Sequence, residues 1–125
     1  TIINAPKIRL HEIDTSIAIA KKIAKLKPTA VFVVSDYVAI GLLKGLTEIG
    51  VKIPDDISII SVTNIDYCLV TTPKLTSIDL SPTLSAKKTA WVINKYREKL
   101  VNKEVRIKIP TKIVERESVR NLKIT

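Results

Sequence analysis

The chain has 125 residues, of which 46% are hydrophobic and 4% aromatic, and it carries a formal net charge of +9. This length fits one domain, or one lobe of a larger domain, and the apolar content excludes a disordered chain. The apolar residues are mainly Ile, Val, Leu and Ala, which favours a sheet of β-branched strands covered by helices. The single cysteine, Cys68, excludes an internal disulfide and favours a reducing compartment.

The 21 Lys and Arg residues are spread along the whole chain, without interleaved aromatic residues that could stack on bases. We therefore expect solvated helix faces, although a basic balance of this size also occurs in nucleic-acid-binding proteins. The opening TIINAPKIRL lacks the pattern of a signal peptide, and no stretch approaches the roughly 18 apolar residues of a membrane span. The default prediction is a soluble cytoplasmic protein without membrane contact.

The first part of the chain predicts a helix followed by a buried strand. Asp14, Thr15 and Ser16 are candidate N-caps, and apolar residues then recur at helical spacing until Pro28. The run AVFVV at 30–34 is continuous rather than alternating, which is typical of a strand covered on both faces. We predict a central, parallel strand there.

A second helix is predicted from Tyr37 to Ile49, followed by Gly50 as the residue that ends it. Gly41 and Gly45 lie inside this helix, where a glycine costs roughly 1 kcal/mol relative to alanine. They therefore require a packing reason, such as close approach to the sheet or to a partner subunit.

A second buried strand is predicted from Ile57 to Val62, which completes a strand–helix–strand unit with a parallel sheet. Later patterns predict four further elements. These are a short strand at Thr76–Leu80, a long helix from Pro82 to near Asn102, and half-exposed strands in EVRIKIP (104–110) and TKIVERESV (111–119).

Few residues are suited to catalysis. His11 is the only histidine, so any Ser/His/Asp or Cys/His set depends on it, and Cys68 has no activating neighbour in the sequence. The turn after the first buried strand contains no glycine, so a phosphate-binding loop is absent, and no Cys/His cluster has metal-ligand spacing. We expect no enzyme activity, no catalytic residue, no metal and no cofactor.

Ligands of open α/β sheets bind beyond the carboxyl ends of the parallel strands. Two of these ends are polar here, with Ser35 and Asp36 after the first buried strand and Thr63 and Asn64 after the second. Such groups suit a small neutral polar molecule. The alternative is that Ser35 or Asp36 caps the helix and that Thr63 only turns the chain.

Three segments, in this order, resemble the effector-binding domain of LacI/GalR-family transcriptional regulators: PTAVFVVSDYVAIGLLKGLTEIGVKIPDDISIIS (28–61), TTPKLTSIDL (71–80) and IVERESV (113–119). The resemblance runs from about Ile13 to Val119. It implies a periplasmic-binding-protein-like α/β fold, half of a two-lobed unit whose open parallel sheet has helices on both faces. Residues 1–125 would be the carboxyl-terminal portion of the effector-binding and dimerisation domain, without the DNA-binding domain and most of the amino-terminal lobe.

The resemblance also implies roles for individual residues. At Thr63 the chain departs from the family, which commonly has an aspartate there that grips sugar hydroxyls or a purine. The long helix after Pro82 would belong to the other lobe. The implied effector contacts are Ser35, Asp36, Thr63, Asn64, His11 and Ile13, and the implied dimer interface contains Tyr37, Ile40, Gly41, Lys44, Gly45, Thr71 and Pro73.

The function expected from this resemblance is a binding switch in a homodimeric repressor. A small-molecule effector, sugar-like or a nucleobase, would change lobe closure and so bias DNA binding by an absent helix-turn-helix domain. Operator DNA would be a partner only through that domain. The alternative function is the periplasmic-type sugar-binding protein of a transporter, which shares the fold.

Overall fold

The computed structural model describes residues 12–100 and 102–122. The elements confirm the α/β class, and the open sheet is mixed, because three parallel strands are followed by an antiparallel one. The sheet order is β1-β2-β3-β4. In chain order the elements are α1 (Glu12–Leu26), β1 (Ala30–Phe32), α2 (Asp36–Glu48), β2 (Ser58–Val62), a 3-10 helix (Asp66–Leu69), β3 (Thr76–Asp79), α3 (Pro82–Arg97) and β4 (Lys112–Val114).

Strand β1 lies at an edge of the described sheet, where it pairs with β2, and not at the centre as predicted. Val33 is buried in the core, whereas Phe32 and Val34 point to the other face and are 58% and 78% exposed. The continuous apolar run does mark two apolar faces, but the described helices cover one of them. Among the described residues of this run, only Val33 is buried.

Helices α1 and α2 approach each other closely at a glycine. A Cβ added at Gly45 would lie 2.8 Å from Ala20 Cβ and 2.9 Å from Ile17 Cα. Gly41 is buried as well. The packing reason for Gly45 is thus a contact within the chain. The place of Gly41 and Gly45 in a dimer interface stays a prediction.

Gly50 follows the end of α2 and caps it, as the sequence predicts. Gly50 has a φ of 82°, and its N–H donates to the Thr47 carbonyl at 3.0 Å. The Val51 N–H donates to the Leu46 carbonyl at 3.0 Å. These two bonds satisfy carbonyls of the last turn, and a glycine is favoured where φ is positive. The helix itself begins and ends one residue before the predicted bounds.

The hydrophobic core combines residues of α1, α2 and the sheet with Cys68 of the 3-10 helix. Helix α3 has no buried residue, and Trp91 on it is 50% exposed. Its assignment to the other lobe stays a prediction. The buried core residues are Ala20, Ile23, Val33, Ala39, Leu42, Leu43, Leu46, Ile57, Ile59, Cys68 and Leu75.

Residues after β4 tie the starts of β2 and β3 together. The buried Ser118 hydroxyl donates to the Ile59 carbonyl at 2.6 Å and accepts from the Thr76 N–H at 2.8 Å. The Ile59 N–H in turn donates to the Ser118 carbonyl at 2.8 Å. The ERESV segment therefore joins β2 and β3 at the end of the sheet where these two strands begin.

Other predicted elements also differ from the structure. Helix α1 begins at Glu12, ahead of the predicted caps, and α3 ends at Arg97 rather than near Asn102. The segment EVRIKIP (104–110) contains no strand. Its alternation fits a strand, but a strand also requires a neighbour that supplies backbone hydrogen bonds. Exposed lysines on α1, including Lys21, Lys22 and Lys25, fit the predicted solvated face.

Replacing Gly45 with alanine should lower the free energy of unfolding by about 1–3 kcal/mol, the usual cost of overpacking. The loss should appear even though alanine favours a helix by about 1 kcal/mol, because the added methyl meets the Ile17 backbone of α1. Urea unfolding followed by circular dichroism measures it. The exposed Lys22 of α1 gives the control Lys22→Ala, expected within about 0.5 kcal/mol of wild type. An equally stable Gly45→Ala would contradict the close contact.

Candidate functional site

A buried carboxylate, Asp36, lies at the start of α2 and joins the strand ends. Its side chain is 0% exposed. Oδ1 accepts hydrogen bonds from the hydroxyls of Ser61 (2.5 Å) and Ser77 (2.7 Å). Oδ2 accepts from the Thr63 hydroxyl (2.8 Å) and the Ile65 N–H (2.8 Å). Strands β2 and β3 and the turn after β2 are thus all fixed to the first residue of α2.

The hydrogen bonds decide the charge of this carboxyl group. Burial raises the pKa of Asp36, but the bonds from Ser61, the Ile65 backbone, Ser77 and Thr63 outweigh burial and hold the pKa below its ordinary value. The group is therefore an anion at neutral pH. An ionised carboxylate only accepts hydrogen bonds, so the three hydroxyls all donate their protons to it.

The turn after β2 has an unusual backbone. Thr63 has a φ of 115° and Asn64 a φ of 57°. Asparagine tolerates positive φ, whereas a β-branched residue rarely adopts it. Backbone bonds hold the turn, with the Thr63 N–H donating to the Ile78 carbonyl at 2.9 Å and the Asn64 N–H to the Ser77 hydroxyl at 3.1 Å. Strained residues of this kind are concentrated at ligand sites, which supports a functional role for the turn.

Arg116 of the ERESV segment holds the same turn from the other side. Its guanidinium donates to the Leu75 carbonyl and to Asn64 Oδ1, each at 2.7 Å. Its backbone N–H donates to the Thr76 hydroxyl at 2.9 Å. Sequence reasoning missed Arg116 because its partner Asn64 is 52 residues away. The available signal was that Arg116 lies in a segment that resembles the family.

The structure brings four of the six predicted effector contacts together. Ser35 is the N-cap residue of α2 through its carbonyl, which accepts from the Ala39 N–H at 3.0 Å, and its side chain makes no capping bond. Thr63 is exposed and Asn64 half-buried. Asp36 is buried with four donors, so in this conformation it positions Thr63. Of the other two, His11 lies outside the described residues, and Ile13 belongs to the first turn of α1.

An apolar groove lies between α2 and the segment after the 3-10 helix. Its volume is about 340 Å³. Tyr37 is 45% exposed, and its ring centroid lies 6.3 Å from that of Tyr67. Pro73 is half-buried. Three predicted interface residues, Ile40, Lys44 and Thr71, line the groove, together with Leu43, Thr47, Glu48 and Thr72.

Other reactive groups are few in the described part of the chain. Burial, followed by the nearby charge of Asp36, raises the pKa of Cys68 to about 11, so this thiol stays protonated and is a poor nucleophile. Residues 12–100 and 102–122 contain no group of three His, Cys, Asp or Glu side chains that could hold a metal ion. Over the same residues, the helices are too short or too polar to cross a membrane.

Asp36 should make stability depend on pH. Its folded-state pKa is depressed, so its stabilising effect is complete above the ordinary carboxyl value of about 3.9 and is lost as the pH falls toward the folded value. We expect the free energy of unfolding to fall between about pH 5 and pH 3. The fall should be smaller in Asp36→Asn, whose amide does not titrate. Urea unfolding at both pH values measures the difference.

At neutral pH, Asp36→Asn should be less stable than wild type by about 1–3 kcal/mol, because its NH2 group cannot accept the bonds that a carboxylate oxygen accepts. The matched control is Asp55→Asn, the same charge change at an exposed residue. If Asp36→Asn and Asp55→Asn showed the same loss at both pH values, Asp36 would not be the group that organises the strand ends.

Comparison with known proteins identifies the family of this fold. Residues 4–119 match the periplasmic binding protein-like domain. The transcriptional repressor PurR of Vibrio parahaemolyticus is 37% identical over 114 residues, which are 89% of this chain and 34% of that protein. The chain therefore spans about a third of the length of the curated relatives it matches.

Solved structures agree with this match. A LacI-family regulator from Enterococcus faecalis, with bound ribose, is 31% identical with a TM-score of 0.79, covering 92% of this chain and 43% of that one. The transcription regulator CcpA of Lactococcus lactis is 27% identical with a TM-score of 0.80, covering 86% and 40%. The chain belongs to the periplasmic binding protein-like domain family and corresponds to part of the effector-binding domain of LacI/GalR-type transcriptional regulators.

Proposed function

We propose that this chain is the carboxyl-terminal portion of the effector-binding and dimerisation domain of a cytoplasmic transcriptional repressor. The observation that carries the proposal is the positive-φ turn at the exposed Thr63 and the half-buried Asn64, held at the carboxyl ends of parallel strands by Asp36 and Arg116. Ligands of open α/β sheets bind at this edge. The turn is therefore the place where a small neutral effector, sugar-like or a nucleobase, would contact this lobe.

The hydrogen-bond network gives the proposed switch a physical basis. A ligand that contacts the turn acts on residues bonded to Asp36, which is the first residue of α2. Helix α2 also forms one wall of the apolar groove. Effector binding and subunit contact would thus share one rigid element, as a coupling between two sites requires. DNA binding would be carried by a helix-turn-helix domain of the intact protein.

A second copy of the chain is the proposed occupant of the groove. Its lining is mainly apolar, and Lys44 and Glu48 form an ion pair at 3.9 Å beside it. The proposed interface contains Tyr37, Ile40, Lys44, Thr71 and Pro73, together with Gly41 and Gly45, which are buried on the same helix as Lys44.

A repressor is favoured over the transporter protein by the relatives that were found. PurR and the E. faecalis protein are transcriptional regulators, and both are more than 30% identical to this chain. They also favour a binding switch over an enzyme. The described residues provide an inert thiol and an internally bonded carboxylate, neither of which is arranged as a catalytic group.

The effector proposal predicts a thermal shift. The intact regulator, with its operator-binding activity assayed in parallel, should be stabilised by at least one member of a panel of ribose, sucrose and hypoxanthine. A ligand at 100 times its dissociation constant adds about 2.7 kcal/mol. The same compound should change the affinity for operator DNA. A panel member that raised the melting temperature without changing operator binding would favour a solute-binding protein instead.

The dimer proposal predicts that Ile40→Glu weakens self-association, because it places a charge in the apolar groove. Analytical ultracentrifugation of the intact regulator should show dissociation at concentrations where wild type is dimeric. Lys52→Glu makes an acidic change at an exposed residue away from the groove and serves as the control. Equal dimer populations in wild type and Ile40→Glu would place the interface elsewhere.

A further inference from the structure

The hydroxyl of Thr63 is already committed to the protein. It lies 2.8 Å from Asp36 Oδ2, and Asp36 is buried and bonded to three further donors. Because the ionised carboxylate only accepts, the Thr63 proton points inward. Threonine is branched at Cβ, so fixing Oγ1 on one branch also fixes the γ-methyl group on another. Thr63 is nevertheless exposed, so surface of this residue other than its bonded proton is open to solvent or ligand.

The neighbouring strand ends are aliphatic as well. Val34 follows β1 and is 78% exposed, and Leu80 follows β3 and is 41% exposed. Strands β1, β2 and β3 are adjacent in the sheet, with the usual spacing of about 4.8 Å between neighbours. The strands on both sides of β2 are therefore followed by exposed aliphatic residues, with Val34 on the sheet face opposite to Val33.

The two carboxylates among these described strand ends are engaged in other contacts. Asp36 is buried beneath Thr63. Asp79 Oδ1 accepts from the Ser81 N–H at 2.7 Å, and Asp79 Oδ2 lies 3.9 Å from Lys112 Nζ. Paired hydroxyls of a sugar are bound well by a free carboxylate that accepts both protons, and these two residues do not supply one.

We infer that Thr63 is a specificity-determining residue that presents its methyl group, rather than its hydroxyl, to the effector. This rests on the proposed function, which places the effector at this turn. The ligand class that fits is a neutral molecule with an apolar carbon at the point of contact, such as a deoxy sugar or a methyl-bearing base. A fully hydroxylated counterpart leaves a hydroxyl against the methyl group without a partner there.

Two conservative variants separate the methyl group from the hydroxyl. Thr63→Ser keeps the bond to Asp36 and removes the methyl group. Thr63→Val keeps the methyl group and removes the bond, so it should lower the melting temperature. If the methyl group sets the preference, Thr63→Val retains the preference and Thr63→Ser loses it, which is the opposite of what a hydroxyl contact gives.

The experiment measures dissociation constants of the intact regulator for pairs of compounds that differ by one hydroxyl or one methyl group. The pairs are D-galactose with D-fucose, D-ribose with 2-deoxy-D-ribose, and uracil with thymine. Wild type and Thr63→Val should bind the more apolar member of a recognised pair about tenfold more tightly. Thr63→Ser should reduce that ratio toward one. Thr29→Ser, the same change at an exposed residue before β1 and therefore at the opposite end of the sheet, is the control.

Each result bears on the inference separately from the proposed function. A pair that wild type binds without preference, or a preference that survives in Thr63→Ser, overturns the methyl assignment and leaves the effector-binding function in place. A preference lost in Thr63→Val but kept in Thr63→Ser assigns the contact to the hydroxyl and also overturns it. Failure of every compound to bind wild type overturns both the inference and the proposed effector site.

Discussion

The buried carboxylate of Asp36 is the interaction on which this lobe depends. A carboxylate removed from water costs several kcal/mol unless hydrogen bonds replace its hydration. Here four donors do so, from β2, from β3 and from the turn between them. Ser61 and Ser77 are register partners in the parallel β2–β3 pair. A slip of one residue in either strand would turn the hydroxyl of that strand away from Asp36, so the charge specifies the register as well as the turn.

Local patterns in the sequence predicted the helices and strands themselves better than the neighbours against which those elements pack. The strand–helix–strand unit and the closing role of Gly50 follow from residues within one or two turns of each other, and the structure has both. The position of β1 in the sheet depends on which strands and helices lie beside it, which the run AVFVV does not encode. The same holds for Gly45. A glycine inside a helix indicated a close contact, but the sequence did not indicate that α1 is the partner.

The rule that ligands bind at the carboxyl ends of parallel strands located Ser35, Asp36, Thr63 and Asn64, and the structure places them together. The direction of their side chains was not predictable, because it depends on hydroxyls at Ser61 and Ser77, 25 and 41 residues from Asp36. Ser61 interrupts the apolar residues Ile59, Ile60 and Val62 of β2, and that interruption was a usable signal, whereas Ser77 lies beside the polar Thr76 in β3. The Arg116 contact to Asn64 is longer still in sequence and gave no local pattern.

The inward bond of Thr63 also restricts how the proposed switch can work. An effector group that drew the Thr63 hydroxyl away would leave Asp36 with one donor fewer, at a cost of about 1–3 kcal/mol. Coupling free energies between allosteric sites are of the same size, about 1–3 kcal/mol. Breaking the bond between Thr63 and Asp36 would therefore cancel most of the coupling free energy. An effector that packs against the methyl group leaves the Asp36 bonds intact and the start of α2 anchored. The geometry therefore favours a switch in which this lobe moves as a rigid body when the cleft closes, with the turn transmitting contact rather than rearranging.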